Sequence, residues 1–442
     1  MIDQKTVFVV MSAEIFHPGH LNIIKVARDL GEVTVGLATD RFNARYKRLT
    51  LMSYEDRKAI VENINGVKNV IAQDTLDLAP ILRELRPDYF VHGDDWKFGP
   101  LKAVRQQVLE VMQEWGGVLV EPPYTEGISS TKLNAAWRSI GATPETRIRH
   151  FRRMLEFQPV VRLLEVHNSL SGIIIERTLV EGNERDKEFD GMWYSDLTDS
   201  LAKGKPNSSF VDLTSRINTI HGILESTAKP LIVEAGNGGI TEHFVFTVKT
   251  LERLGVSAVV IADKVGYEGA VFSLNGNEPV QEDVNDFARK IASGKKTQVN
   301  KDFSIITQIN SLVMHEDVEN ALRRARVYIE AGVDAVMIHS NVETLTDFFE
   351  FCRSYRNLED KVPLLAAIPA RSSLDEDQLI SAGVQFIVYP DQLLRAAYTS
   401  MLNAAKTLLI QARASDVDEL YAPISEICDF VPGAWGQGGK AD

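Results

Sequence analysis

Val7-Phe8-Val9-Val10 leads through Met11-Ser12-Ala13-Glu14-Ile15 into Phe16-His17-Pro18-Gly19-His20. An apolar strand therefore runs by a short loop into the opening of a helix. Two imidazoles three residues apart at such an opening can face one phosphate group. Gly19 lets the backbone approach closely, and the helix beginning near His20 offers free N–H groups and the positive end of its dipole. Nucleotidyl transfer needs such cationic or hydrogen-bonding groups around the α-phosphate as charge shifts to pyrophosphate. The competing explanation is two incidental loop histidines beside a Pro-Gly turn.

Outward from this stretch, short apolar runs alternate with amphipathic ones. The runs are Val33 to Ala38, Asn69 to Gln73, Tyr89 to Gly93 and Gly117 to Glu121. Between them lie patterns such as Leu21 to Leu30 and Ser53 to Ile64. This alternation predicts a Rossmann-like, doubly wound parallel sheet over residues 1–140, with a ligand at the strand carboxyl ends near the switch point. His17 and His20 follow the first strand, where that rule places a site. A basic run, Glu145 to Phe157, reads as a helical linker or docking helix over 141–158. From Val161 the rhythm resumes with longer repeats, and its strands are expected at Val161–Val166, Gly191–Ser195, Leu231–Ala235, Ala258–Ala262, Ser304–Ile309, Ala335–His339, Leu364–Ile368 and Phe386–Tyr389. Eight parallel strands predict a (β/α)8 barrel over 159–435, with its site at the strand C-termini. His167, Asp196, Glu234, Asn237, Asp263, Lys264, Gln308, Asn310, His339, Arg371 and Asp391 stand there.

Composition narrows the function classes. A net charge of −13 argues against a nucleic-acid partner, though local basic groups still bind nucleotide phosphates. Cys352 and Cys428 are the two cysteines, too few for a disulfide framework or a metal-ligand cluster, and a reducing cytoplasm fits best. No stretch is long and apolar enough to span a bilayer, so no membrane partner is expected.

The N-terminal part resembles the HxGH nucleotidylyltransferases, specifically the cytidylyltransferase branch that includes glycerol-3-phosphate cytidylyltransferases. The resemblance rests on Phe16-His17-Pro18-Gly19-His20, Val35-Gly36-Leu37-Ala38-Thr39-Asp40, Arg45-Tyr46-Lys47, Tyr54-Glu55-Asp56-Arg57, Val91-His92-Gly93-Asp94-Asp95-Trp96 and Glu126-Gly127-Ile128-Ser129-Ser130-Thr131, all in the family's order. It implies that His17 and His20 stabilise charge at the α-phosphate and that Lys47 holds the β- and γ-phosphates. It implies nucleotide contacts from Ser12, Ala13, Gly19, His92, Gly93, Asp94, Ile128, Ser129, Ser130 and Thr131, with CTP as substrate and Mg2+ bridging the triphosphate. Lys47 also reads as a solvated loop lysine, Asp94 as a turn residue, and Ser129 to Thr131 as a helix cap. Tyr124 stands where the family often has an arginine, which leaves base selectivity less defined than reaction type.

The C-terminal part resembles phosphoenolpyruvate mutase of the isocitrate lyase superfamily. The similar stretches are Phe189-Asp190-Gly191-Met192-Trp193, Lys203-Gly204-Lys205-Pro206, Thr214-Ser215-Arg216-Ile217-Asn218, Thr250-Leu251-Glu252-Arg253-Leu254-Gly255-Val256 and Met337-Ile338-His339-Ser340. The family's chemical positions have changed. Asn207 stands where an aspartate follows Gly-x-Pro, and Glu234-Ala235-Gly236-Asn237-Gly238 replaces Asp-x-Asp-x-Gly. Ala262-Asp263-Lys264, with Ala270-Val271 beyond it, replaces Glu-Asp-Lys and its following Asn-Ser. Gln308-Ile309-Asn310 replaces Arg-x-Glu. Magnesium needs oxygen ligands and phosphoryl chemistry needs cationic stabilisation, so these losses predict a barrel without mutase activity. Trp193, Ser195, Glu234, Asp263, Lys264 and His339 read either as packing residues or as a rebuilt pocket that binds at most. The fused mutase-like barrel points to a small phosphonate acceptor, 2-hydroxyethylphosphonate or 2-aminoethylphosphonate. Alternatives are a bifunctional enzyme with residual mutase activity and a polyol-phosphate cytidylyltransferase. Superfamily habit implies a homo-oligomer through the barrel.

Overall fold

A computed structural model describes residues 5–98, 101–123, 125, 133, 142–182, 187–206, 210–265, 280–368, 372–418 and 421–431. The chain divides into two compact units. One is built on Met1–Ile140 with the short segments Glu156–Pro159 and Val180–Lys187, and the other takes the remainder.

The first unit is a five-stranded parallel sheet made from β1 (Thr6–Met11), β2 (Glu32–Ala38), β3 (Val67–Gln73), β4 (Tyr89–Val91) and β5 (Val118–Val120), in the order β3-β2-β1-β4-β5. Alternation along β1 decides what each face buries. Val7, Val9 and Met11 pack with Ile24 and Ala27 of helix α1 (Pro18–Leu30), whereas Phe8 packs with Leu82, Phe90 and Val108 on the opposite face. Gly36 of β2 is needed because a Cβ there would come within 2.8 Å of the Phe8 ring. Pairing of β1 with β4 stops at Val9 and Val91, while pairing with β2 continues to Met11 and Leu37. The end of β1 therefore stands beyond β4 at the point where strand order reverses, and the His17 loop leaves from it.

The second unit is a closed eight-stranded parallel barrel. Its strands are Val161–Glu165, Gly191–Tyr194, Leu231–Glu234, Ala258–Ala262, Ser304–Ile309, Ala335–Ile338, Leu364–Ala367 and Phe386–Tyr389, and the ring closes where the last pairs with the first. One set of alternating residues, including Tyr194, Val233, Ile261, Ile305 and Ile338, packs outward on Ile223, Phe244, Phe287, Tyr328 and Phe351 of the helices. The other set, including Leu163, Trp193, Ile232, Val260, Ile306 and Met337, is buried inside the ring.

The helix Pro144–Phe157 is not a free connector. The Phe151 ring meets Phe386 edge-on at 5.6 Å, and the Ser257 hydroxyl donates to the Arg147 carbonyl at 3.3 Å. Gln385 donates to the carbonyls of Met154 and Leu155 at 3.3 and 3.1 Å. Ser257 and Gln385 each precede a barrel strand, so the helix lies across the strand N-termini. Arg147 is buried, donates to the carbonyls of Leu224 and Thr227, and has its pKa lowered by that burial to about 10. The basic run is thus partly a set of long apolar stems packed into the barrel floor.

Gly294 tests the packing of the outer layer. A Cβ there would lie 2.4 Å from Phe244 Cε1 and 3.0 Å from Ile305 Cδ1. Gly294→Ala is expected to destabilise the protein by about 1–3 kcal/mol through overpacking, read as a lower midpoint in chemical denaturation. An unchanged midpoint would contradict this contact.

Candidate active site

The loop after β1 is held from beneath. Arg57 of helix α3 (Tyr54–Glu62) is fully buried and donates to the carbonyls of Ser12 and Ala38 at 2.6 and 2.7 Å. Its other terminal nitrogen pairs with Asp40 at 2.8 Å. The Ser12 hydroxyl donates to Asn43 Oδ1 at 2.9 Å. Ala13 then takes a left-handed conformation, φ +47°, which an L-residue adopts only when its surroundings impose it. Glu14 is buried, and both of its oxygens accept from Arg48 Nε at 3.0 and 3.1 Å.

The two histidines cap helix α1 themselves. His17 is the N-cap, and its Nδ1 accepts from the Gly19 N–H at 3.1 Å. His20 Nδ1 accepts from the His17 N–H at 3.3 Å. A neutral imidazole that accepts at Nδ1 carries its proton on Nε2, so both rings present an Nε2–H donor. Their centroids lie 4.0 Å apart. Gly19 is required here, because a Cβ would sit 2.8 Å from His17 Cε1.

Electrostatics keeps both rings neutral. Burial lowers the His17 pKa, and Lys47 adds to the effect. Burial takes His20 down to about 3, with further contributions from His17 and Lys47. Lys47 follows helix α2 (Asp40–Tyr46), its amide bonded to the Asn43 carbonyl at 2.9 Å. Its side chain reaches solvent although protein encloses it on other sides. That enclosure lowers its pKa, Glu14 opposes the lowering, Arg48 adds to it, and Asp95 opposes it.

Asp95 belongs to the turn after β4, so this turn and Lys47 share one neighbourhood. His92 Nδ1 meets the Gly93 carbonyl at 2.8 Å, and its ring stacks on Trp96 with centroids 4.0 Å apart. Trp96 donates to Glu121 at 2.8 Å, and Arg105 grips the same carboxylate, which takes its pKa down to about 2. Asp94 is held through its amide on the Pro122 carbonyl at 3.2 Å, with Lys97 at 3.8 Å from its carboxylate. The Thr125 hydroxyl accepts from Asn22 of α1 at 3.0 Å. Ile128, Ser129, Ser130 and Thr131 lie outside the described residues. The structure thus brings Ser12, Ala13, Gly19, His17 and His20 into one loop and helix start. Arg57 and Asp40 lie in stretches that carry the family resemblance and Glu14 in the loop before His17, but their supporting role, like that of Asn43 and Arg48, has no signal in the sequence.

The barrel's strand ends are differently arranged. Trp193, Ser195, Glu234, Gln308 and His339 continue the inward-facing alternation. Ser195 Oγ accepts from the Thr198 N–H at 3.1 Å and caps the helix Asp196–Ala202. The Glu234 carbonyl accepts from Arg216, and Arg216 pairs with Asp196. Gln308 Nε2 donates to Asn310 Oδ1 at 3.0 Å, and His339 Nδ1 lies 3.0 Å from the same oxygen. Lys264 lies on a short strand, Lys264–Val265, paired with Val280–Gln281.

Asp263, expected at the pocket, faces the helix layer instead. It is fully buried, and burial raises its pKa. Its Oδ1 accepts from the Asn310 N–H at 2.9 Å, and its Oδ2 from Tyr328, Gln281 and Arg324 at 3.0, 3.1 and 3.3 Å. Both oxygens are committed to structure. Sheet parity explains the difference: Val259, Ile261 and Asp263 alternate on the outer side. Glu165 escaped notice in sequence. It is fully buried, with Oε1 2.7 Å from His167 Nδ1 and Oε2 accepting from the Leu394 N–H at 3.0 Å. Among the described residues, no group of three His, Cys, Asp or Glu side chains is placed to hold a metal ion.

Comparison with known proteins agrees with this division. A family model described as phosphoenolpyruvate phosphomutase matches residues 151–409, and one described as cytidylyltransferase-like matches residues 12–136. A phosphoenolpyruvate phosphomutase from Tetrahymena pyriformis is 23% identical over 277 residues, covering 62% of this chain and 88% of that protein. A glycerol-3-phosphate cytidylyltransferase from Bacillus spizizenii is 32% identical over 138 residues, covering 31% of this chain and 99% of that protein. The crystal structure of a phosphoenolpyruvate phosphomutase from Streptomyces platensis subsp. rosaceus superposes with a TM-score of 0.58 at 25% identity, covering 64% of this chain and 93% of that one.

The lowered imidazole pKa values carry a pH signature. Groups that act as neutral donors are present above their pKa and are lost as pH falls through it. In the free enzyme, kcat/KM is expected to stay level as pH rises through the ordinary imidazole value of about 6.5. A fall in kcat/KM across that value would show that a charged imidazole is needed.

Proposed function

This chain belongs to the phosphoenolpyruvate phosphomutase family and carries a cytidylyltransferase unit ahead of the barrel, and on that premise we propose that it is a CTP-dependent cytidylyltransferase acting on a small phosphonate. An oxygen of the phosphonate attacks the α-phosphorus of CTP in line, the bond to pyrophosphate breaks, and a CMP-phosphonate forms. The observation that carries this reading is the pair of Nε2–H donors at the start of α1. A negatively charged transition state gains from donors held in place beforehand, since no reorganisation is then needed during reaction. Lys47 steadies the β- and γ-phosphates. The His92 to Asp95 turn takes the nucleoside, with Asp94 as its recognition group, and Ser129 to Thr131 complete the phosphate contacts. Mg2+ would come bound to the triphosphate rather than to Glu14, the carboxylate of the catalytic loop, which already holds Arg48 with both oxygens.

In this reading the barrel does not catalyse. Its residues do not fit the metal of the parent reaction, because Gly236 and Ala262 bring no ligating side chain and the retained Asp263 is already saturated by donors of its own fold. Gln308, Asn310 and His339 are hydrogen-bonded to one another. 2-Hydroxyethylphosphonate and 2-aminoethylphosphonate are the acceptors that the barrel's ancestry suggests. Self-association through the barrel unit is part of the same reading. It is supported by the helix Gln392–Gln411, which packs on the core through Leu393 at its start, has no fully buried side chain and exposes Tyr398, Met401, Leu409 and Ile410.

The test is a pyrophosphate-release screen that crosses CTP, ATP, UTP and GTP with phosphonates and phosphorylated polyols. CTP with a phosphonate is expected to give the highest kcat/KM, and preference for a polyol phosphate would overturn the acceptor assignment. His17→Ala and His20→Ala should each lower kcat by at least about a hundredfold, the scale of losing one such donor. Unchanged release would move the site elsewhere. Incubating the protein with magnesium and phosphonopyruvate should leave the phosphorus NMR spectrum unchanged, and phosphoenolpyruvate signals would restore mutase activity to the barrel.

A further inference from the structure

Arg57 is an expensive residue in its position. A guanidinium with no exposed surface loses its hydration, and its Nε is buried with no partner. A residue serving α3 alone would not need a charge there. What the charge does is local and directional. One terminal nitrogen bridges the carbonyls at the ends of β1 and β2, those of Ser12 and Ala38, while the other holds Asp40. Asp40 also accepts from the Tyr54 N–H at 3.0 Å, so the start of α3 is tied to the same carboxylate. The Ser12 carbonyl is in the peptide that leads into Ala13, and Ala13 holds the left-handed φ of +47° with almost no exposed surface. From Ala13 the chain reaches the His17 cap within four residues, through Glu14, itself pinned by Arg48.

We propose that Arg57 is a positioning residue for nucleotidyl transfer. Without touching substrate, it orients the catalytic loop by gripping the Ser12 carbonyl and enforcing the turn at Ala13. The kinetic part rests on the function proposed above, but the grip on the loop does not. Lysine keeps the charge but offers one nitrogen where the guanidinium offers a planar fork, so it cannot span Ser12, Ala38 and Asp40 together.

Arg57→Lys in the full-length protein is expected to lower kcat about a hundredfold, the effect of a small misplacement of reacting groups, with the KM for CTP little changed. Glycine adopts the left-handed turn without steric cost. Adding Ala13→Gly to Arg57→Lys should therefore recover about tenfold of the loss. A purely structural role predicts the same kcat for folded enzyme with or without Arg57, and no rescue by Ala13→Gly. Hydrogen exchange reads the grip without any substrate. Peptides covering residues 11–20 should exchange faster in Arg57→Lys than in the parent, while those from the barrel strands stay the same. Asp40→Asn, a milder change, should move exchange in the same direction if the lysine variant does not fold. Unaltered exchange over 11–20 in both variants would overturn the proposal even if the enzyme proves active. A protein inactive with every acceptor, yet showing faster exchange there, would overturn the functional reading and leave the grip standing.

Discussion

The first turn of a helix leaves backbone N–H groups without partners inside the helix, and helix α1 solves that problem with two histidines of its own opening. His17 and His20 each turn Nδ1 toward a backbone N–H at the helix opening. This one choice sets the tautomer of both rings, directs both Nε2–H groups away from the helix, and requires glycine at position 19. It also agrees with the lowered basicity that burial gives both rings: a neutral imidazole is the form this geometry uses. Charge comes from Lys47, which reaches solvent while the rings are shielded. Cation and fixed donors are thus divided between two segments that meet at the end of β1.

The barrel shows the opposite economy. Polar residues at its strand ends are satisfied by one another rather than left for a ligand. Asp263 collects donors from Asn310, Gln281, Arg324 and Tyr328, and Arg216 is taken by Asp196 and the Glu234 carbonyl. The Asn310 amide oxygen lies between Gln308 and His339, a hydrogen-bonded link across neighbouring strands.

Much of this was legible in sequence, and the legible parts share a cause. Strands with a period of two and helices of longer period predict the doubly wound sheet and the barrel because burial acts on each side chain locally. The five strands of the first unit and the eight of the second fall on the runs where they were expected. Phe16 to His20 was legible because its residues act on neighbours within one turn. Arg57, Glu14 and Arg48 were not, because each finds its partner in another element and looks in sequence like a surface charge. Asp263 was misplaced for a related reason: its nearness to a strand end suggested the barrel mouth, whereas strand parity, which two residues decide, turned it toward Tyr328. The basic run Arg147 to Arg153 reads in sequence as a helical linker or a docking helix, and Ile148, Phe151 and Met154 dock it on the barrel.

That last helix bears on how such a chain is assembled over evolution. The floor of the barrel is laid by residues that precede the first barrel strand. A gene fusion that joined a nucleotidyl-transfer unit directly to Val161 would have delivered a barrel open at its base. The portable barrel module therefore begins near Pro144, a full helix ahead of its first strand.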